Sequence, residues 1–213
     1  MEFASRHSCL VYEGSPSKQL PALVTVARER LSQNHRCLYL NSPTMVAGMR
    51  SYLAASGIDV AEETARGSLV LTSEQQHLLH GYEFDPQYLI DGLRFALDRA
   101  LDDGFGGLWA TGDMSWEVGP QNDFSKLLEY EWRLEEFLQS NPQMGGICQY
   151  RADMLPRKTV RHGVASHASI FINQTLSVIN KQYLQREQFS HEAFDRLELD
   201  GFVNQLVSQQ TVN

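Results

Sequence analysis

Two periods alternate along the chain. Compact apolar runs bounded by turn-forming residues predict buried β-strands at His7–Tyr12, 37–40, 68–72, 145–150 and 169–172, and the longest, 104–112, breaks off into Gly112-Asp113-Met114-Ser115-Trp116. Between these runs apolar residues recur three and four apart: Leu20, Leu23, Val24, Ala27 and Leu31; Val46, Met49, Tyr52 and Leu53; Leu89, Leu93, Ala96, Leu97 and Ala100. The stripes predict helices over 21–31, 45–56 and 86–101, and further helical stretches are expected at 61–66, 124–140 and 156–163. Thr44 is placed to cap the second helix and Gly57 to stop it in a left-handed conformation. Asp85-Pro86 opens the third, where proline's missing donor costs nothing.

Strand followed by helix, repeated, is the pattern of right-handed parallel crossovers, so the expected fold is α/β, a three-layer domain with a parallel sheet between helices. The 104–112 run would deliver Asp113, Ser115 and Trp116 to the carboxyl edge of that sheet, where α/β proteins place ligands. Past Asn173 the alternation stops. Residues 176–184 and 191–209 read as helices, giving a C-terminal helical extension (173–213) beside a main domain (5–172). The extension either covers its own domain or builds a homodimer.

Composition narrows the function classes. A net charge of -8 and a pI near 5.3 argue against direct contact with nucleic acid, whose phosphates call for clustered Lys and Arg. No apolar run reaches the ~20 residues of a membrane span, and the first residues lack the plan of a secretory signal, so a cytoplasmic protein without membrane contact is expected. Cys9, Cys37 and Cys148 sit in or beside apolar segments without a CxxC pair, as buried reduced thiols do.

The turn after the first strand, Glu13-Gly14-Ser15-Pro16-Ser17-Lys18, lies where a nucleotide-binding α/β protein puts its phosphate loop. It lacks the glycines and the Lys-Ser/Thr pair that wrap phosphates, Pro16 removes a donor, and Glu13 adds negative charge. No catalytic Ser-His-Asp or Cys-His order and no cofactor motif stands out, so the chain is not expected to be an enzyme. His7, His77, His80, His162 and His167 show no metal-ligand spacing, and the expected metal set is none. Glu129 and Glu131 diverge on a helix by roughly 200°, so one points inward and needs a partner, Arg133 or a strand-end tyrosine. Tyr12, Glu13, Asp113, Ser115, Trp116, Glu129 and Tyr150 are the candidate ligand-binding residues.

Six motifs in order carry a resemblance: 7–13 (HSCLVYE), 36–40 (RCLYL), 84–86 (FDP), Gly104-Phe105 through Trp116, 128–131 (LEYE) and 148–150 (CQY). Over roughly residues 5–172 the chain resembles the MEDS family, the methanogen/methylotroph sensory domain of bacterial and archaeal regulators. The resemblance implies a RecA/KaiC-like fold that has lost its phosphate loop. It also implies the sensing of a small organic ligand, with hydrocarbon derivatives proposed, on behalf of a signalling partner such as a histidine kinase or a transcription regulator. This sequence departs from the pattern at Arg151, where an acidic residue is usual and Asp153 follows two positions on. It also shows no DNA-binding helix pair or kinase module, so the output is expected to pass through a partner protein or the helical tail. The competing expectation is a protein-interaction or dimerisation module with a vestigial nucleotide site.

Overall fold

The computed structural model describes residues 6–74, 79–80, 83–117, 124–173 and 176–210. Seven strands form the main sheet: β1 (His7–Tyr12), β2 (His35–Leu40), β3 (Leu69–Thr72), β6 (Gly107–Asp113), β7 (Met144–Arg151), β8 (Ser169–Asn173) and β9 (Leu176–Ile179). Their order is β3-β2-β6-β7-β1-β8-β9, parallel except for β9, which runs antiparallel to β8. A small hairpin, β4 (Leu79–His80) and β5 (Glu83–Phe84), stands apart.

Strand periodicity splits the buried residues into two layers. Leu10, Tyr12, Tyr39, Leu69, Trp109 and Ile147 face α1 (Leu20–Ser32), α2 (Pro43–Ala55) and α3 (Val60–Ala65). Cys9, Val11, Leu108, Cys148, Tyr150 and Ile170 face the opposite layer, built by α4 (Pro86–Asp102), α6 (Leu127–Ser140), α7 (Arg157–Ser166), α8 (His191–Asp195) and α9 (Leu199–Gln210). A single turn, α5 (Met114–Glu117), follows β6. The α/β fold with a parallel sheet between helices is the one that the alternating periods predict.

Three local expectations are corrected. Residues 176–184 are not helical: Leu-Ser-Val-Ile extends the sheet as β9, because the outer edge of β8 offers unpaired backbone groups and a four-residue strand satisfies them better than an isolated helical turn. The second helix starts at Pro43 rather than at Met45, since the proline ring presets the first helical turn. Its cap position is Ser42, not Thr44, and the Ser42 amide donates to Asn41 Oδ1. The last helix is two, α8 and α9, with Phe194, Leu199 and Leu206 all buried in the second layer.

Candidate functional site

The expected strand-edge residues separate onto different surfaces. Asp113, at the end of β6, is 2% exposed on the α1–α2 side. Tyr12 Oη donates to its Oδ2 (2.6 Å), while the Ser115 amide (2.9 Å) and hydroxyl donate to Oδ1. Both carboxylate oxygens are therefore engaged within the protein. Burial and then the neighbouring Asp113 push the Tyr12 phenol far above its usual range, so it remains a donor. Glu13 is exposed. Trp116 lies in α5, and its side chain is outside the described residues. Glu129 is on the outside of α6, accepting from Arg133 Nε (2.9 Å) and Arg186 Nη2 (3.0 Å), which ties the 3-10 turn Arg186–Gln188 to this helix.

Tyr150 belongs to the other face, and its partner is the helix glutamate that turns inward. Glu131 is fully buried, and the Tyr150 hydroxyl donates to its Oε1. The approach depends on Gly163 of α7, because a Cβ there would sit 2.4 Å from the Tyr150 ring. The second carboxylate oxygen, Oε2, lies 3.3 Å from His7 Nε2, 3.4 Å from His167 Nε2 and 3.6 Å from Cys148 Sγ. Cys148 Sγ is 3.5 Å from His7 Nε2. Four side chains from β1, α6, β7 and the link between α7 and β8 thus bring metal-ligating atoms within 4.8 Å of one another, all of them buried.

The outer nitrogens of both imidazoles are engaged. His7 Nδ1 donates to Glu135 Oε2 (2.9 Å), and His167 Nδ1 donates to the Gly163 carbonyl (2.6 Å). Those bonds aim both Nε2 atoms at Glu131. Burial opposes charge on His7, but the hydrogen bonds and charges of Glu131 and Glu135 raise its pKa to about 9. His167 is pushed down to about 4, by burial and then by His7, whose ring centroid is 4.0 Å away. Burial works against the Glu131 carboxylate too, yet His167, His7 and Tyr150 hold it below the usual carboxylate range.

Beside this cluster a cavity of about 30 Å³ opens between β6–β7 and the helices α4 and α6. Leu89, Leu93, Ala110, Met114, Leu134 and Leu138 supply much of its wall, and His7 and Cys148 also border it. Apolar walls with a few polar groups at one end are the usual make-up of a small-molecule site.

A family sequence model described as the methanogen/methylotroph, DcmR sensory domain matches residues 6–168, which takes in every member of the buried cluster. The chain belongs to the MEDS family. A search of curated proteins finds no match. MEDS is a sensory domain family, so a sensing or signalling role follows from membership. Within this MEDS chain the family match ends before β9, α8 and α9, although α8 and α9 pack into the same core. Among the described residues no helix is long and apolar enough to cross a membrane.

His7, Glu131, Cys148 and His167 were not marked by spacing in the sequence, because 160 positions separate the two histidines and only the β1–β8 pairing joins them. One signal was available. Leu127, Glu131, Leu134 and Leu138 form a helical stripe, and a glutamate inside an apolar stripe must bury its carboxylate.

Proposed function

We propose that this MEDS domain senses a small, mainly apolar organic molecule held in the cavity between β6–β7 and α4/α6, whose wall His7 and Cys148 also border. The observation that carries the reading is the cavity itself. At about 30 Å³ it has the room of one or two waters, which suits molecules of a few heavy atoms, such as short hydrocarbon derivatives. The ligand then lies not at the strand-edge residues but on the other face of the sheet, where Tyr150, one of the seven candidates, stands beside the cluster.

Supporting a RecA/KaiC-like ancestry without a phosphate loop, β1 lies inside a parallel sheet and runs into a turn where Pro16 opens a 3-10 helix and the Ser15 and Ser17 hydroxyls bond each other (2.7 Å). Lys18 is exposed there. The occupied state would be read by a cytoplasmic signalling partner, a histidine kinase or a transcription regulator.

Thermal shift and NMR with xenon as an inert size probe and with one- to three-carbon alcohols, thiols and halogenated alkanes test the proposal. A ligand at 100 times its Kd should stabilise the protein by about 2.7 kcal/mol. Leu93→Phe, which fills the cavity, should abolish the effect. If no probe, xenon included, perturbs the resonances of the lining residues, the reading fails. A second reading, association through the carboxyl-terminal segment, is favoured by edge strand β9, where Ile179 is 75% exposed. Light scattering on wild type and Ile179→Lys decides it: a wild-type monomer, or a dimer that the substitution leaves intact, removes β9 as the interface.

A further inference from the structure

We propose that His7, Glu131, Cys148 and His167 bind one divalent transition-metal ion, zinc being the first expectation, through Nε2, Oε2, Sγ and Nε2 respectively. Bonds of about 2.0–2.3 Å to a tetrahedral ion place neighbouring ligand atoms about 3.3–3.8 Å apart. Of the six separations among these atoms four are 3.3, 3.4, 3.5 and 3.6 Å, and all six lie within 4.8 Å. Ordinary hydrogen bonds between nitrogen and oxygen would have drawn the imidazoles nearer to the carboxylate, to about 2.9 Å.

His167 is fully buried, its Nδ1 proton is committed to the Gly163 carbonyl, and among the described residues its Nε2 has no hydrogen-bond partner. A buried imidazole nitrogen with its lone pair aimed at a carboxylate and a sulfur is unfavourable on its own and is what a metal requires. His7 shows the carboxylate–histidine arrangement of metal sites, with Glu135 accepting from Nδ1 so that Nε2 points inward. Tyr150 steadies the second oxygen of Glu131 in the same supporting role.

A divalent cation, the Glu131 carboxylate and a Cys148 thiolate sum to zero with both imidazoles neutral, which suits a fully buried site. Binding would release the Cys148 thiol proton and any proton on His7 Nε2 to solvent. Two nitrogens, one oxygen and one sulfur suit zinc or another late first-row ion, and exclude magnesium and calcium, which take oxygen ligands. With all four positions filled by protein, the ion would be structural, fastening β1, α6, β7 and the link between α7 and β8 beside the cavity.

Cobalt(II) is the probe, added to the full chain after chelator treatment, with no organic ligand present, so that the outcome is independent of the sensing proposal. One equivalent should bind, giving intense visible bands of tetrahedral cobalt and a near-ultraviolet sulfur-to-cobalt charge-transfer band, and zinc should displace it. Cys148→Ser should lose the charge-transfer band. Glu135→Gln, outside the ligand set, should weaken binding about 10–100-fold. Folding of each variant is checked by circular dichroism. If Cys148→Ser does not fold, perturbation of the His7 and His167 side-chain resonances by zinc in the wild-type protein replaces it. Folded wild type that takes up neither ion, a charge-transfer band that persists in folded Cys148→Ser, or zinc that leaves both imidazoles unperturbed overturns the proposal.

Discussion

Asp113 and Glu131 are both buried carboxylates, one on each face of the same sheet, and they are satisfied in opposite ways. Asp113 draws two of its three donors from Ser115, two residues along its own chain, and the third from Tyr12, so its surroundings are complete as folded. Glu131 satisfies one oxygen with Tyr150 and presents the other to two imidazoles and a thiol at 3.3–3.6 Å. A carboxylate saturated by short local bonds holds a strand end in place. A carboxylate that shares one oxygen among three ligating side chains from distant segments is poised to gather around something else.

Substitutions should separate the two. The largest effect is expected from Glu131→Leu, which strips Tyr150 and His7 of their shared acceptor; losing one side of a buried charged network costs about 3–5 kcal/mol, read from urea unfolding. Gly163→Ala should come next at about 1–3 kcal/mol, because the new methyl drives the Tyr150 ring off Glu131. If it proved neutral, the closeness of α7 to Tyr150 would not matter to the cluster. On the other face, Tyr12→Phe removes one hydrogen bond to a buried carboxylate and should cost about 1.5–3 kcal/mol without altering cobalt binding. A cobalt spectrum changed by that substitution would couple two faces that the structure keeps apart.

The smallest effect concerns pH. Burial, followed by the charges of Lys158 and Arg161, pushes His162 down to about 4, so it is neutral in the fold. A depressed pKa contributes stability that is present above 6.5 and is lost as pH falls from 6.5 toward 4. His162 packs against Phe194 with ring centroids 4.8 Å apart, but it is only partly buried, and screening should keep the contribution small. His162→Leu should therefore lose slightly less stability than wild type between pH 7 and pH 5. An equal loss would show that His162 does not report on the α7–α8 packing.

Legibility followed the range of the interactions. The helix from Pro86 is plain in the Leu89, Leu93, Leu97 and Ala100 stripe, and Asp85 caps it by accepting from the Gln87 and Tyr88 amides, because period and cap are both local. The β6 run and the delivery of Asp113 to its end were equally readable. Strand β9 was not: its four residues carry too little period to compete with a helical reading, and only the unpaired edge of β8 decides. The cluster lay further out of reach, since His7 and His167 meet only after the sheet has closed. The choice between Glu129 and Glu131 was a matter of helical phase. Counting along Leu127, Leu134 and Leu138 resolves it, whereas two glutamates two apart taken by themselves do not.

The place of β1 has a kinetic consequence. All six of its residues are buried, and its neighbours in the sheet are β7 and β8, the nearer of which ends about 140 residues further along the chain. At synthesis rates of about 5–20 residues per second, this first strand would wait ~7–30 s, unpaired, for its nearest partner to be made. The strand that fills the place between β7 and β8 is thus the one most exposed to misassociation on the ribosome, and folding in the cell should depend on chaperones that hold it until β7 has been made.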